Sequence, residues 1–151
     1  MGILTVGVVT KPFAFEGKRR MTQAEQGIAE LSACVDSLII VPNERLKYVS
    51  DTSITLQNAF AIADDVLRQG VQSISDLILL PGLVNLDFAD VTSVMKDAVY
   101  AHMGMGSATG KDKATVAADM AISSPLLETS IDGAKGLIIN ITASADVSLE
   151  D

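Results

Sequence analysis

The chain has 151 residues, of which 48% are hydrophobic and 20% charged, a composition typical of a folded globular protein and not of a disordered one. Its net charge of −8 argues against a nucleic-acid-binding surface. No apolar run approaches the roughly 18 residues that a membrane-spanning helix needs, so we expect no direct membrane insertion. The single cysteine, Cys34, and the single histidine, His102, exclude an internal disulfide and a histidine-cluster metal site. Cys34 is expected to be a buried, inert thiol.

The first third of the chain predicts a strand–helix–strand unit. Ile3–Val9 is a nearly continuous apolar run, which is typical of a strand covered on both faces in a parallel sheet. Lys18–Val35 carries apolar residues at helical spacing, and Leu38–Val41 is a second buried strand. Two parallel strands need a crossover of this length, so the segment is predicted to be a βαβ unit.

A single long helix is predicted next, over residues 54–80. Apolar residues recur there every three or four positions, and Pro81 and Gly82 end the pattern. A helix of 20 to 25 residues is unusually long for a small domain, which favours a helix that joins two subdomains.

The last third of the chain predicts further α and β elements. They are a helix that starts at Asp87, a strand over Val99–Met103, a helix over Lys113–Ser123 and a strand over Gly136–Thr142. Two strands on either side of the long helix make a poor sheet, so the sequence is interpreted as a fragment of a larger α/β protein. The alternative is a small, self-contained four-stranded α/β domain.

Two stretches contain side chains suited to a nucleoside. Glu16 and Arg20 follow the first strand, where open α/β sheets bind ligands, and they can contact a ribose hydroxyl and a phosphate. Phe60 and Asp64 are one helical turn apart, so a ring that stacks on a base would lie beside a carboxylate able to accept from guanine. The simpler interpretation is a solvated loop, a core phenylalanine and a surface aspartate.

A third stretch, "LPGLVNLDFADV" (80–91), contains two acids three residues apart. Asp87 and Asp90 are suited to capping a helix, because carboxylates stabilise its positive end. As a pair they are also suited to orienting and polarising a water molecule for attack on a phosphate, and a cap does not explain the adjacent Asn85. The sequence has no glycine-rich phosphate cradle, so a catalytic role would have to be exerted on a nucleotide held elsewhere.

Five colinear stretches resemble the FtsZ family, the tubulin-like GTPases of bacterial cell division. They are "VVTKPFAFEGKRRM", "AEQGIAELSACVDSLIIVPNERL", "NAFAIADDVLRQGVQSISDLI", "PGLVNLDFADV" and "AADMAISSPLLE". The resemblance implies an incomplete tubulin-like α/β fold in three parts. Residues 1–53 would end a Rossmann-like GTPase domain, 54–80 would form the central helix, and 81–151 would hold the synergy loop and the start of a smaller C-terminal α/β domain.

The resemblance also implies roles for the candidate residues. Glu16 and Arg20 match contacts to the ribose and phosphates of GTP or GDP, and Phe60 and Asp64 match contacts to the base. Asn85, Asp87 and Asp90 match the synergy loop, which acts in trans on the nucleotide of the next subunit.

Further expectations follow for the intact protein that the resemblance implies. It would be a cytoplasmic GTPase that forms the division ring, binds Mg²⁺ with its nucleotide, and assembles with itself head to tail. Division proteins would bind a tail that this sequence lacks. The fragment alone would bind GTP poorly and hydrolyse it negligibly. Two alternatives are a non-enzymatic module that caps or modulates filaments of the intact protein, and a stand-alone nucleotide-binding domain.

Overall fold

A three-stranded parallel sheet organises the chain. The computed structural model describes residues 3–48, 54–84, 86–96, 98–128 and 130–144. The strands are β1 (Val6–Lys11), β2 (Ser37–Pro42) and β3 (Val99–Ala101), with β2 in the middle. The α/β fold class predicted from the sequence is confirmed.

Helix α1 (Lys18–Ser32) connects β1 to β2 and completes the predicted βαβ unit. The register pairs Val6 with Ser37 and Lys11 with Pro42, so both strands end at the same edge. Strand β1 starts three residues later than predicted and continues to Lys11. The expectation for Cys34 was wrong: α1 ends before it, and its side chain is exposed.

Helix α2 (Ala59–Leu79) is the long helix of the structure, with 21 residues. It begins five residues after the predicted start at residue 54. The Asn58 side chain accepts a hydrogen bond from the Thr55 amide at 2.7 Å, which holds the preceding residues in a turn outside the helix. Its buried residues include Ala59, Ala63 and Val66, which face the sheet side.

The remaining elements are α3 (Phe88–Met95), β3 and α4 (Lys113–Ile122). Strand β3 is shorter than predicted and joins β2, so residues from both sides of the long helix share one sheet. The strand predicted over 136–142 is wrong: these residues form no regular element, and Leu137, Ile139 and Ile141 are exposed. A strand needs a hydrogen-bonded neighbour, and none of the described strands pairs with this segment.

The main hydrophobic cluster lies at the carboxyl edge of the sheet. It is composed of Phe13, Val41, Leu46, Ala59, Ala63, Val66 and Leu126. Leu126 belongs to residues 124–128, which follow α4 and are called the 124–128 segment below. Arg45 fixes this segment, because its Nη1 donates to the carbonyl oxygens of Pro125 at 3.2 Å and Leu127 at 3.0 Å.

Candidate functional site

The loop after β1, residues 12–17, is called the aromatic loop below. Its short 3₁₀ turn, Ala14–Glu16, is stabilised by the Glu16 carboxylate, which accepts from the Phe13 amide at 2.9 Å. The other Glu16 oxygen accepts from Arg20 Nε at 3.4 Å. The Glu16 side chain is therefore only 13% exposed, whereas that of Arg20 is 68% exposed. The structure brings these two predicted residues together and leaves the guanidinium available to an anion.

An aromatic cluster joins this loop to the first turn of α2. The rings of Phe13 and Phe15 are stacked with centroids 5.1 Å apart, and Phe60 contacts both edge-on at 5.8 and 6.1 Å. Phe13 is buried, but Phe15 and Phe60 remain 52% and 49% exposed. Two aromatic side chains held in fixed orientation with free surface are suited to contact a flat base.

Asp64 lies one turn after Phe60 on α2, as the spacing predicted, and it is exposed. Its neighbour Asp65 has hydrogen-bond partners within the helix: its carboxylate accepts from Arg68 at 2.7 Å and from Gln69 at 2.6 Å. The Arg68 bond, followed by the Gln69 bond, holds the pKa of the Asp65 carboxyl below its usual value. Asp65 therefore pairs with Arg68 within the helix, and Asp64 is the carboxylate that shares the side of Phe60.

Asn43 is a candidate residue that the sequence reasoning missed. It is the first residue after β2, it is 5% exposed, and its Oδ1 has no hydrogen-bond partner among the described residues. A buried carbonyl oxygen without a partner is unfavourable, so its position at the ligand-binding edge of the sheet indicates a contact to a bound group. The available signal was a polar residue directly after a buried strand.

The acidic pair, Asp87 and Asp90, lies at the start of α3. Asp87 is the N-cap of this helix, and its Oδ1 accepts from the Asp90 amide at 2.8 Å. Both residues are exposed, as are Leu83 and Val84 in the loop before them. Asn85, the third predicted member, lies outside the described residues. The simpler interpretation, a helix cap, is thus correct for Asp87, and the exposure that an external role requires is present as well.

A shallow, open depression adjoins the acidic pair on α3. It is lined by Asp87, Phe88, Ala89, Thr92, Ser93 and Lys96. It is too open to enclose a small molecule by itself, so chemistry at this position requires a second surface that closes over it.

The aromatic cluster and the acidic pair lie at opposite ends of the structure. The first turn of α2 contacts the aromatic loop at the carboxyl edge of the sheet, and the helix then runs past the sheet to Leu79. At 1.5 Å per residue, its 21 residues measure about 30 Å. The acidic pair follows this far end, and α3 leads into β3, whose Val99 pairs with Ser37 at the amino end of β2. The two sets of candidate residues therefore belong to opposite edges of the sheet.

Neither a metal site nor a membrane span emerges from the described ranges. They contain no group of three histidine, cysteine, aspartate or glutamate side chains placed to hold a metal ion. The acidic pair offers only two carboxylates, so the described residues of this chain do not fit a complete Mg²⁺ site. Within the same ranges, every helix is too short or too polar to cross a bilayer.

The candidate residues of the aromatic loop lie at the carboxyl edge of a parallel α/β sheet, where open α/β sheets bind ligands, and the long helix leads from this edge to the second part of the chain. Residues 1–51 match the model of the Tubulin/FtsZ family GTPase domain, and residues 99–151 match that of the FtsZ family C-terminal domain. The two matches together take in most of the sequence, and the chain belongs to the tubulin/FtsZ family.

Solved structures support this assignment. A point mutant of FtsZ from M. jannaschii is similar with a TM-score of 0.92 and 42% identity, over 99% of this chain and 45% of that chain. An empty FtsZ dimer from M. jannaschii has a TM-score of 0.84 and 43% identity, over 87% of this chain and 38% of that chain. The present chain therefore spans less than half the length of these relatives.

Proposed function

We propose that this chain is part of a polymerising GTPase in which GTP is hydrolysed between subunits, with the acidic pair acting in trans. The observation that carries the proposal is that the candidate residues form two half-sites, the aromatic cluster with its neighbours and the acidic pair. The length of α2, about 30 Å, lies between them. Residues suited to a base lie at one end, and exposed carboxylates lie at the other. Stacking copies head to tail would join the acidic end of one to the nucleotide end of the next.

The nucleotide end supplies contacts to guanosine. Phe60 would stack on the base, and Asp64 would accept from its N1–H and exocyclic amine. Asn43 would turn its unpartnered Oδ1 toward the bound nucleoside. Arg20 would reach the phosphate side through its exposed guanidinium. Glu16 already accepts two hydrogen bonds, but a carboxylate has about four acceptor positions, so contact with the ribose remains compatible with its place in the loop.

The acidic end supplies the catalytic groups. Asp87 uses one oxygen to cap α3, which fixes its carboxylate and leaves the second oxygen for a water molecule. Asp90, one turn into the helix, and Asn85 would complete the polar group that orients this water toward the terminal phosphate. The Mg²⁺ that the family resemblance implies would be held mainly by the phosphates.

Head-to-tail contact explains why hydrolysis would depend on assembly. An interface between two different surfaces of the same chain generates an open filament when the rotation does not close a ring. Each internal contact then completes one active site, and a free subunit has none. We further propose that the parent protein works in the cytoplasm at the division site and binds division proteins through a tail.

The trans role can be tested with an intact FtsZ that cannot complete its neighbour's site. In M. jannaschii FtsZ, the two residues that superpose on Asp87 and Asp90 are replaced by alanine, so that its own acidic end cannot act on a neighbour. This chain is then added in increasing amounts, and phosphate release from GTP is followed. We expect turnover to rise with added chain, because its acidic end completes the exposed nucleotide site at a filament end.

Matched variants of this chain test whether the rise in turnover is due to the acidic pair. Asp90→Ala is expected to abolish the rise in turnover, whereas Asp119→Ala, which removes an exposed acid on α4, is expected to leave it unchanged. Equal turnover with the Asp90→Ala chain would show that the acidic pair is not catalytic. No turnover with any chain, despite co-sedimentation with polymer, would argue against the trans mechanism.

The second candidate function is a non-enzymatic module that caps filaments. The exposed apolar side chains of Leu83 and Val84 beside the acidic pair favour it, because they would bind a neighbour whether or not chemistry follows. Adding the chain to unaltered M. jannaschii FtsZ discriminates the two. A loss of sedimenting polymer without any gain in turnover by the alanine variant of FtsZ would favour the capping module.

A further inference from the structure

A carboxylate from outside the aromatic loop holds the backbone of that loop. Glu44 lies in the 3₁₀ helix Asn43–Tyr48, directly after β2, and its Oε2 accepts from the Ala14 amide at 3.0 Å. Its other oxygen accepts from the ammonium of Lys47, one turn later in the same helix. One side chain therefore ties the segment after β2 to the segment after β1.

Two successive backbone amides of the aromatic loop donate to carboxylates, but the two hydrogen bonds constrain different parts of the structure. The bond from Phe13 to Glu16 lies within the loop and fixes its internal shape. The bond from Ala14 to Glu44 spans 30 residues and fixes where the loop sits relative to β2. Together with the buried ring of Phe13, which belongs to the core cluster of Val41 and Leu46, Glu44 therefore fixes the position of the loop relative to the end of β2.

The backbone from which Glu44 projects is itself anchored. The neighbouring Arg45 donates to the carbonyl oxygens of Pro125 and Leu127, and Leu46 is fully buried in the core cluster. The bond from Lys47, and next that from the Ala14 amide, hold the pKa of the Glu44 carboxyl below its usual value. At neutral pH Glu44 is thus a charged acceptor on a fixed support, which strengthens its bond to the loop.

We propose that Glu44 is a positioning residue for guanine nucleoside binding: through the Ala14 amide it holds the aromatic loop so that Phe15 and Phe60 present their free surfaces to the base beside Asn43. This proposal rests on the function proposed above. Glu44 does not touch the nucleoside in it. It acts by restricting the conformations of the loop before the base binds. The conformational entropy of the loop is then lost on folding and not on binding.

Guanosine is the appropriate probe, because it presents the base and ribose and does not depend on a phosphate cradle. The 151-residue chain is titrated with guanosine, and with adenosine as a control, while amide and aromatic NMR shifts are followed. The variants are Glu44→Ala, which removes the acceptor, Glu44→Gln, which retains an acceptor oxygen, and Lys47→Met, which removes only the cation. Urea unfolding of each variant measures its stability separately.

The proposal gives a defined order of affinities. Losing one hydrogen bond that orders the loop is expected to weaken guanosine binding about fivefold in Glu44→Ala. Glu44→Gln and Lys47→Met are expected to stay within about twofold of the unaltered chain, because both keep the bond to Ala14. The Ala14 amide should lose hydrogen-exchange protection in Glu44→Ala alone.

The outcomes separate the two proposals. If the unaltered chain binds guanosine and Glu44→Ala binds it equally well, the positioning role is wrong while the nucleoside site stands. If Glu44→Gln weakens binding as much as Glu44→Ala at equal stability, retention of the acceptor is irrelevant and the positioning role is again wrong. If the unaltered chain shows no preference for guanosine over adenosine, the proposed base site is wrong, and the role of Glu44 is overturned with it.

Discussion

Asp87 has a structural role that is visible and a catalytic role that is proposed, and a single substitution can separate them. Asparagine is about as good an N-cap as aspartate, since its side-chain oxygen can still accept from the Asp90 amide. It has no negative charge with which to polarise a water molecule. Asp87→Asn should therefore keep α3 and lose the chemistry, while Asp87→Ala should lose both.

The magnitudes follow from the cap geometry. Replacing an N-cap acid by alanine costs typically about 1 kcal/mol, which for a chain of this size lowers the melting temperature by about 2–4 °C. Asp87→Asn gives up only the charge–dipole term, about 0.3–1 kcal/mol at an exposed site. The melting temperature of Asp87→Asn should therefore fall by about 1–4 °C at most, and by no more than that of Asp87→Ala.

The two measurements are thermal unfolding and phosphate release from GTP by the alanine variant of M. jannaschii FtsZ with this chain added. Phosphate release supported by Asp87→Asn is expected to fall to the background without chain, at a chain concentration where polymer binding is unchanged. If Asp87→Asn supports full turnover while Asp87→Ala does not, the carboxylate charge is dispensable. Asp87 would then be a cap alone, and the trans mechanism would have to rest on Asp90 and Asn85.

Three further predictions concern stability. Phe13→Ala should lower the free energy of unfolding by about 3–5 kcal/mol in urea titrations, because Phe13 is only 1% exposed. Phe15→Ala should lower it by about 1 kcal/mol, because Phe15 is 52% exposed, and equal losses for the two variants would contradict the described core. Gly106→Ala should lower the melting temperature by more than about 2 °C, because the added Cβ would lie 1.9 Å from a backbone oxygen of α4. Gly27→Ala, the matched control in α1, has open space around the added Cβ and should raise the melting temperature by about 1–3 °C. The pKa of Glu44 is depressed on folding, so its contribution is complete above the unfolded value of about 4.3 and is lost as the pH falls through the folded value. The stability difference between the unaltered chain and Glu44→Gln should therefore shrink between pH 5 and pH 3, and a constant difference would refute the assignment.

The sequence alone determined much of the local structure and the family. Apolar runs predicted β1 and β2, helical spacing predicted α1 and α2, and the acid at position 87 predicted the cap of α3. These features depend on neighbours close in the chain, which is why periodicity and capping rules detect them. The boundaries were less accurate where a side chain competes with the helix, as Asn58 does at the start of α2.

Only the tertiary structure decided how distant segments meet. The apolar run at 136–142 suggested a strand, but strand pairing depends on a partner elsewhere, and β3 took the free edge of β2. The roles of Asn43 and Glu44 could not be predicted from the sequence for the same reason. The burial of Asn43 depends on the packing around it, and the partner of Glu44, Ala14, lies 30 residues away. Short-range patterns thus identified the pieces of both half-sites, while contacts across the fold placed the two half-sites at opposite ends of α2.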